Sequence, residues 1–314
     1  MRILSLSGFV PEQICDVVRF TQYEGDYKIS HYCGYVSDYI SQVLNDASID
    51  GAVFPKSCDS SRVISSYLSN CGKFLYQIPV PARNDDAAVE YLAYSFKQYQ
   101  RALEKHYGND IIDIQDRVLM VNQRNQIISK MYDQLGNTII YSQYLSEIHT
   151  MLKKPLALQK MEDISTEIKA DGKRVYIVGS FLSNCGLTKL IEQAGMVILG
   201  DNLTESKRLF SAPPVSLDGD LYNNIAKSVL YNRMSPTQNQ FEQIIKYDLD
   251  EIKTKGIGGV IYISQKYCEP YDFLYSVYKK TLDEINIPIL KINVSDSTDG
   301  RRLEFALEAF ADIL

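Results

Sequence analysis

The chain's most reactive side chains are its six cysteines, against three histidines and no tryptophan. Three of the thiols share a placement. Cys58, in "GAVFPKSCDSSRVISSYL" (51–68), follows a β-rich apolar run and precedes a helical pattern. Cys268, in "GGVIYISQKYCEP" (258–270), does the same, and Cys33, in "SHYCGYVSDYISQVL" (30–44), also precedes a helical pattern. A thiol at a helix start meets unpaired backbone N–H groups and a partial positive charge, which favour thiolate, the form that binds metals. The carboxyl ends of strands in open parallel sheets are also where ligands bind. Taken singly, each thiol reads as readily as a small core hydrophobe. Three of them on three separate loops point to one shared site. No short CxxC spacing supports a zinc ribbon or a bacterial ferredoxin loop. Cys15 and Cys71 fit packing positions, and Cys185, in "GSFLSNCGL" (179–187), is ambiguous. No paired-carboxylate or Ser–His–Asp arrangement can be read.

These thiols need strands and helices to deliver them. "GAVFP" (51–55), "SSRVISSYLSN" (60–70) and "KFLYQIPVP" (73–81) read as strand, helix and strand. "RVYIVGS" (174–180), "GLTKLIEQAG" (186–195) and "MVILGD" (196–201) repeat the unit, with Gly195 placed to stop the helix. A third unit comprises "GGVIYIS" (258–264), a helix over 270–286 and "IPILKINV" (287–294), closed by a helix over 301–314. Continuous apolar runs bounded by turn residues fit strands buried on both faces. Stretches 85–108, 114–136 and 141–154 carry apolar residues at helical spacing. The pattern predicts an α/β protein of two Rossmann/flavodoxin-like parallel-sheet domains joined by a helical segment. Residues 1–155 form the first domain with its helical connector, and residues 156–314 form the second.

Composition narrows the partners. The 314 residues are 45% hydrophobic and 23% charged, with a net charge of −6. A chain of this size buries enough surface to fold without disulfides. Its acidic balance, with a pI of about 5.3, argues against nucleic acid as a partner. No apolar run approaches the roughly 20 residues of a membrane span, and the N-terminus lacks a signal-peptide pattern. The expected location is the cytoplasm, where cysteines stay free, metal-bound or reactive.

"FPKSCDSSR", "YCGYVSDYISQVL" and "YISQKYCEPYDFLYSVYKKTLDEINIPILKINV" resemble the iron–sulfur subunits of the 2-hydroxyacyl-CoA dehydratase and benzoyl-CoA reductase family. "RVYIVGSFLSNCGLTKLIEQAGMVILGDNLTESKRLF" is similar to that family's central strand–helix–strand segment, and "RRLEFALEAFADIL" to its closing helix. The resemblance runs over most of the chain from about residue 30 onward. It implies a [4Fe–4S] cluster held by Cys33, Cys58 and Cys268, leaving one iron open as Lewis acid and one-electron carrier. It also implies an oxygen-sensitive dehydratase. An ATP-dependent iron–sulfur activator would supply one low-potential electron, and a ketyl radical of the hydroxyacyl substrate would lose its hydroxyl group. A related cluster-bearing subunit, or a second copy of this chain, would complete a dimer. The alternatives implied are an electron-relay subunit of such a pair, and a member acting on a small molecule that is not a CoA thioester. A third possibility, from a different class, is a non-catalytic α/β protein whose cysteines are simply packed.

Around the thiols, Ser180, Ser183 and Asn184 fall at a strand's carboxyl end and are candidates to line the substrate cavity. His31, two residues before Cys33, is a candidate to donate to cluster sulfur or to shuttle a proton. Asp59, Ser60 and Glu269 are expected to cap helix starts. Where the family often carries a further cysteine, this chain has Leu203 or Thr204.

Overall fold

The computed structural model describes residues 2–6, 8–21, 29, 31–108, 113–159, 171–182, 185–232, 234–294 and 300–314. Two four-stranded sheets, each parallel throughout, organise the chain. The first contains β1 (Ile3–Ser5), β2 (Val17–Arg19), β3 (Gly51–Lys56) and β4 (Phe74–Pro79), in the order β2-β1-β3-β4. The second contains β5 (Lys173–Gly179), β6 (Met196–Asn202), β7 (Gly259–Ser264) and β8 (Ile289–Asn293), in the order β6-β5-β7-β8. Both have the doubly wound flavodoxin order, in which the first and third strands are neighbours and the connections diverge between them. The architecture is therefore α/β with two Rossmann/flavodoxin-like domains. β3 and β7 are the central apolar strands that the sequence predicts, and β7 is buried along its whole length. β1 and β2 were not predicted. Each is only three residues long, too short to show a period, and they become strands by pairing with each other and with β3.

The helices are α1 (Gly34–Asn45), α2 (Asp59–Arg62), α3 (Ile64–Leu68), α4 (Asp86–Tyr107), α5 (Ile114–Tyr132), α6 (Tyr141–Leu152), α7 (Gly186–Gln193), α8 (Lys207–Phe210), α9 (Leu221–Asn232), α10 (Phe241–Lys255), α11 (Glu269–Glu284) and α12 (Gly300–Ile313). The single helix expected over 60–70 is instead two short ones meeting at Val63. α4, α5 and α6 form the helical segment between the sheets. Asp85 and Asp113 cap α4 and α5 by accepting from Ala88 N at 3.0 Å and Gln115 N at 2.6 Å. Gly195, with φ of +79°, ends α7 as expected.

Two features tie the halves together. α9 returns from the second half onto α4, burying Ile225, Ala226, Val229 and Leu230 with Leu92, Phe96 and Tyr99. In addition, Glu12, on the loop after β1, is buried between Arg19 and Arg124, with which it forms two short ion pairs. Arg117 donates to the Glu12 carbonyl at 3.1 and 2.8 Å. Asp16 accepts from Leu156 N at 2.9 Å, and Arg124 donates to Gln159 at 2.8 Å. The loop leaving β1 is thereby fastened to α5 and to the chain heading for the second sheet. The two guanidinium groups hold the Glu12 carboxyl down at about 2 against the opposing effect of its burial.

Candidate functional site

The carboxyl ends of both sheets open onto one cleft of about 660 Å³, including its mouth. Leu6 and Phe9 enter it from beyond β1, Cys33 from beyond β2, and Pro55, Ser57 and Cys58 from the end of β3 and just beyond. From the other sheet come Ser180 and Phe181 beyond β5, Thr204 beyond β6, and Gln265 and Cys268 beyond β7. The cleft thus lies at the divergence point of two sheets that face each other. Cys58 and Cys268 hold corresponding places in them, after the third strand of each. Gly179 permits this packing: a Cβ there would come within 2.2 Å of the Ile263 carbonyl oxygen, so β5 and β7 approach closely just before Ser180 and Gln265 leave for the cleft.

Local sequence explains how each thiol is held. Cys33 precedes α1, and its sulfur meets the N–H groups of Tyr35 and Val36. The Cys33 backbone N–H donates to Ser60 Oγ at 3.3 Å, which links two thiol loops. Ser61 Oγ accepts from the N–H groups of Ser57 and Cys58, both at 3.1 Å, and lies 2.8 Å from the Cys58 carbonyl. The capping pattern therefore differs from expectation. Ser61 organises the Cys58 loop, Ser60 serves the neighbouring loop, and Asp59 lies exposed with a 3.5 Å ion pair to Arg62. Cys268 follows Tyr267, a non-glycine residue with φ of +63°, and its N–H donates to Gln265 O at 3.1 Å. That left-handed turn is a strained conformation, of the kind retained where a side chain must be aimed.

The thiols also sense one another. The neighbouring Cys268 thiol, with the helix-start N–H groups, draws the Cys33 thiol below its ordinary value. The nearness of Cys33, followed by burial and the nearby sulfurs, pushes Cys268 well above it. Burial raises Cys58 despite help from Ser61. Thiolate is therefore favoured at one position of the three, chiefly by the neighbouring thiol and then by the helix start. Three neighbouring sulfurs cannot all ionise without a compensating positive charge, and metal ions supply that charge by replacing the thiol protons. Among the described residues, no three His, Cys, Asp or Glu side chains gather closely enough to hold a single metal ion. The thiols line a cleft instead of meeting at a point. A donor set of three soft sulfurs spread around a cavity fits a cluster that carries its own sulfide, and fits a mononuclear site poorly.

The other candidates separate. Ser180 is buried in the cleft wall, its Oγ without a partner among the described residues. Ser183 and Asn184 lie outside the described residues. His31 is exposed at the edge, its ring 6.1 Å from that of Tyr267, and is not among the lining residues. Cys185 faces away from the other thiols toward buried His149, whose Nδ1 is 3.6 Å from its sulfur. Sequence patterns did not reveal the aromatic seal. Phe181 packs on Tyr35 with ring centroids 3.7 Å apart and on Phe20 at 6.3 Å, closing the cleft floor between the sheets. Phe20 and Tyr35 belong to one half and Phe181 to the other, so no local pattern could have paired them.

The family profile described as 2-hydroxyglutaryl-CoA dehydratase, D-component, matches residues 2–314. The chain is similar to the (R)-2-hydroxyglutaryl-CoA dehydratase β subunit of Acidaminococcus fermentans, with 24% identity covering 92% of this chain and 83% of that protein. It is also similar to the (R)-phenyllactyl-CoA dehydratase β subunit of Clostridium sporogenes, at 22% identity over 90% of this chain and 80% of the relative. A subunit of the benzoyl-CoA reductase of Thauera aromatica is 24% identical over 80% of this chain and 70% of its own length. Among the described residues, no helix is long and apolar enough to cross a membrane.

Proposed function

From the premise that this chain belongs to the 2-hydroxyglutaryl-CoA dehydratase D-component family, we propose that it is the cluster-bearing subunit of a dehydratase. It holds a [4Fe–4S] cluster on Cys33, Cys58 and Cys268 and takes part in radical elimination of water from a hydroxyacyl-type substrate. The observation that carries this reading is the convergence of three sulfurs, from loops up to 235 positions apart in the chain, on one cleft between two sheets. Such a cluster, when bound, supplies one-electron chemistry and a Lewis-acidic iron with an open position.

The chain's own residues do the positioning. The three thiols give up their protons on loading, Cys33 most readily because its neighbours already favour the anion. Ser60 and Ser61 hold the first two loops in register. Tyr35, Phe20 and Phe181 exclude water from the floor. Ser180, whose hydroxyl has no partner among the described residues, bonds a substrate oxygen in this reading, with Ser183 and Asn184, close to it in sequence, as further candidates and His31 as a proton carrier. The partners in this reading are a related cluster-bearing subunit or a second copy of this chain, and an ATP-dependent iron–sulfur activator. Residues 1–155 and 156–314 form the two halves of the subunit, which works in the reducing cytoplasm. An electron-relay role within such a pair is the second reading. The designation of these dehydratase relatives as β subunits implies a partner subunit, with which such a relay would operate.

Anaerobic reconstitution followed by iron and sulfide assay tests the proposal. Wild-type protein should carry roughly four irons per chain, Cys58→Ser should lose most of them, and Cys185→Ala should keep them. A wild type that stays colourless, or a Cys58→Ser protein with the full iron content, refutes it. Spectral change of the loaded protein on adding a hydroxyacyl thioester separates catalysis from relay.

A further inference from the structure

The two walls of the thiol cleft differ in kind. On the first sheet's side, Leu6 and Phe9 beyond β1, Val36 on α1 and Pro55 at the end of β3 present buried hydrocarbon. On the second sheet's side the wall is made of hydroxyls and one amide, from Ser180, Thr204, Ser235, Thr237, Gln265 and Tyr271. Most of these polar groups are already engaged. The Ser235 and Thr237 hydroxyls bond each other at 2.9 Å, Thr204 donates to Ser180 O at 2.5 Å, and Gln265 donates to Phe181 O at 3.1 Å. The Ser180 hydroxyl has no partner among the described residues. Among the described lining residues, the side chains able to ionise are the three thiols and the phenols of Tyr35 and Tyr271, so any charge they take is negative. Arg208 is bonded to the Tyr271 hydroxyl at 2.5 Å. Its other terminal N–H groups go to the carbonyls of Met234, Gly179 and Asn202, which leaves that cation turned into the protein.

We infer that the cleft selects hydroxyacyl thioesters whose acyl chain ends in an uncharged, apolar group. The chain lies against Leu6, Phe9 and Pro55, and the hydroxyl and carbonyl oxygens face Ser180 and the second sheet's wall. The inference rests on the reading of the cleft as a substrate site and adds the class of acyl chain that enters it. Hydrocarbon laid against the first wall leaves water favourably. A carboxylate in the same place gives up its hydration and meets hydrocarbon and sulfur instead of a cation. The unlike walls also fix the direction of entry, because turning the ligand over would press its oxygens onto Leu6 and Phe9 and its chain onto the hydroxyls.

Full-length protein, reconstituted anaerobically and kept without activator so that no ester is turned over, is titrated calorimetrically with a matched pair. 2-Hydroxypentanoyl-CoA and 2-hydroxyglutaryl-CoA have the same carbon skeleton and differ in a terminal methyl or carboxylate. The wild type should bind the pentanoyl ester at least about a hundredfold more tightly, the penalty expected for an unpaired buried charge. Thr237→Arg, at a half-buried position of the wall, supplies a cation and should narrow that gap at least about tenfold by tightening the glutaryl ester. Equal affinities, or tighter binding of the glutaryl ester by the wild type, overturn the inference. So does an unchanged gap in Thr237→Arg protein that folds and loads iron normally. If that variant does not fold, the wild-type pair decides. Binding of neither ester by iron-loaded protein refutes the reading of the cleft as a substrate site, whereas equal binding of both refutes the chain selectivity alone.

Discussion

Replacing Glu12 by Gln tests how the loop from β1 is held over the cleft. In the native protein the Glu12 carboxylate neutralises Arg19 and Arg124, all three being buried. Its pKa falls from an ordinary 4.5 to about 2 on folding, which corresponds to about 3 kcal/mol of stability at neutral pH. The variant also leaves two buried guanidinium groups without their anion, a type of loss that costs about 3–5 kcal/mol. Because the folded value is depressed, the contribution is complete above the unfolded value and disappears as pH falls through the folded one. Urea unfolding of wild type and Glu12→Gln at pH 7 should therefore differ by about 3–5 kcal/mol. That is a midpoint shift of about 1 M or more if the denaturant slope is about 3 kcal/mol/M. The gap should stay constant from pH 7 to 5 and narrow below pH 4.5. A gap under about 1 kcal/mol at pH 7, or one unchanged at pH 3.5, would refute the claim that this ion cluster fastens the first sheet to the helical segment.

Two further outcomes are expected. Glu205, which accepts from Leu182 N and whose other carboxyl oxygen has no partner among the described residues, has its carboxyl pushed up to about 8 by burial. The folded protein keeps this proton between pH 4.5 and 8, so stability falls as pH rises through that window. Glu205→Gln should remove about 3–5 kcal/mol of that fall and exceed the wild type at pH 9; parallel stability–pH curves would contradict this. Phe181→Ala should cost about 3–5 kcal/mol and speed iron loss from loaded protein, because the ring seals the floor against Tyr35 and Phe20. Unchanged midpoints and unchanged iron retention would show that the seal is immaterial.

Much of the architecture could be read in the chain itself. Long apolar runs such as β3, β5 and β7 are continuous because both faces are buried, and the 85–154 helices repeat their apolar residues on one face. Local signals of that kind survive without tertiary context. The same holds for a thiol placed where a strand stops and a helix begins, which is why Cys33, Cys58 and Cys268 could be singled out together. Three-residue strands such as Ile3–Ser5 carry no such period and exist only through their neighbours. The meeting of Phe181 with Tyr35 depends on how the two sheets face each other, and the burial of Arg208 and the nearness of Cys185 to His149 depend on packing around the second sheet. Sequence order therefore determined which groups stand at strand ends. Only packing decided which of them share a cavity, because proximity between distant loops is created by sheet-to-sheet docking and leaves no periodic trace along the chain.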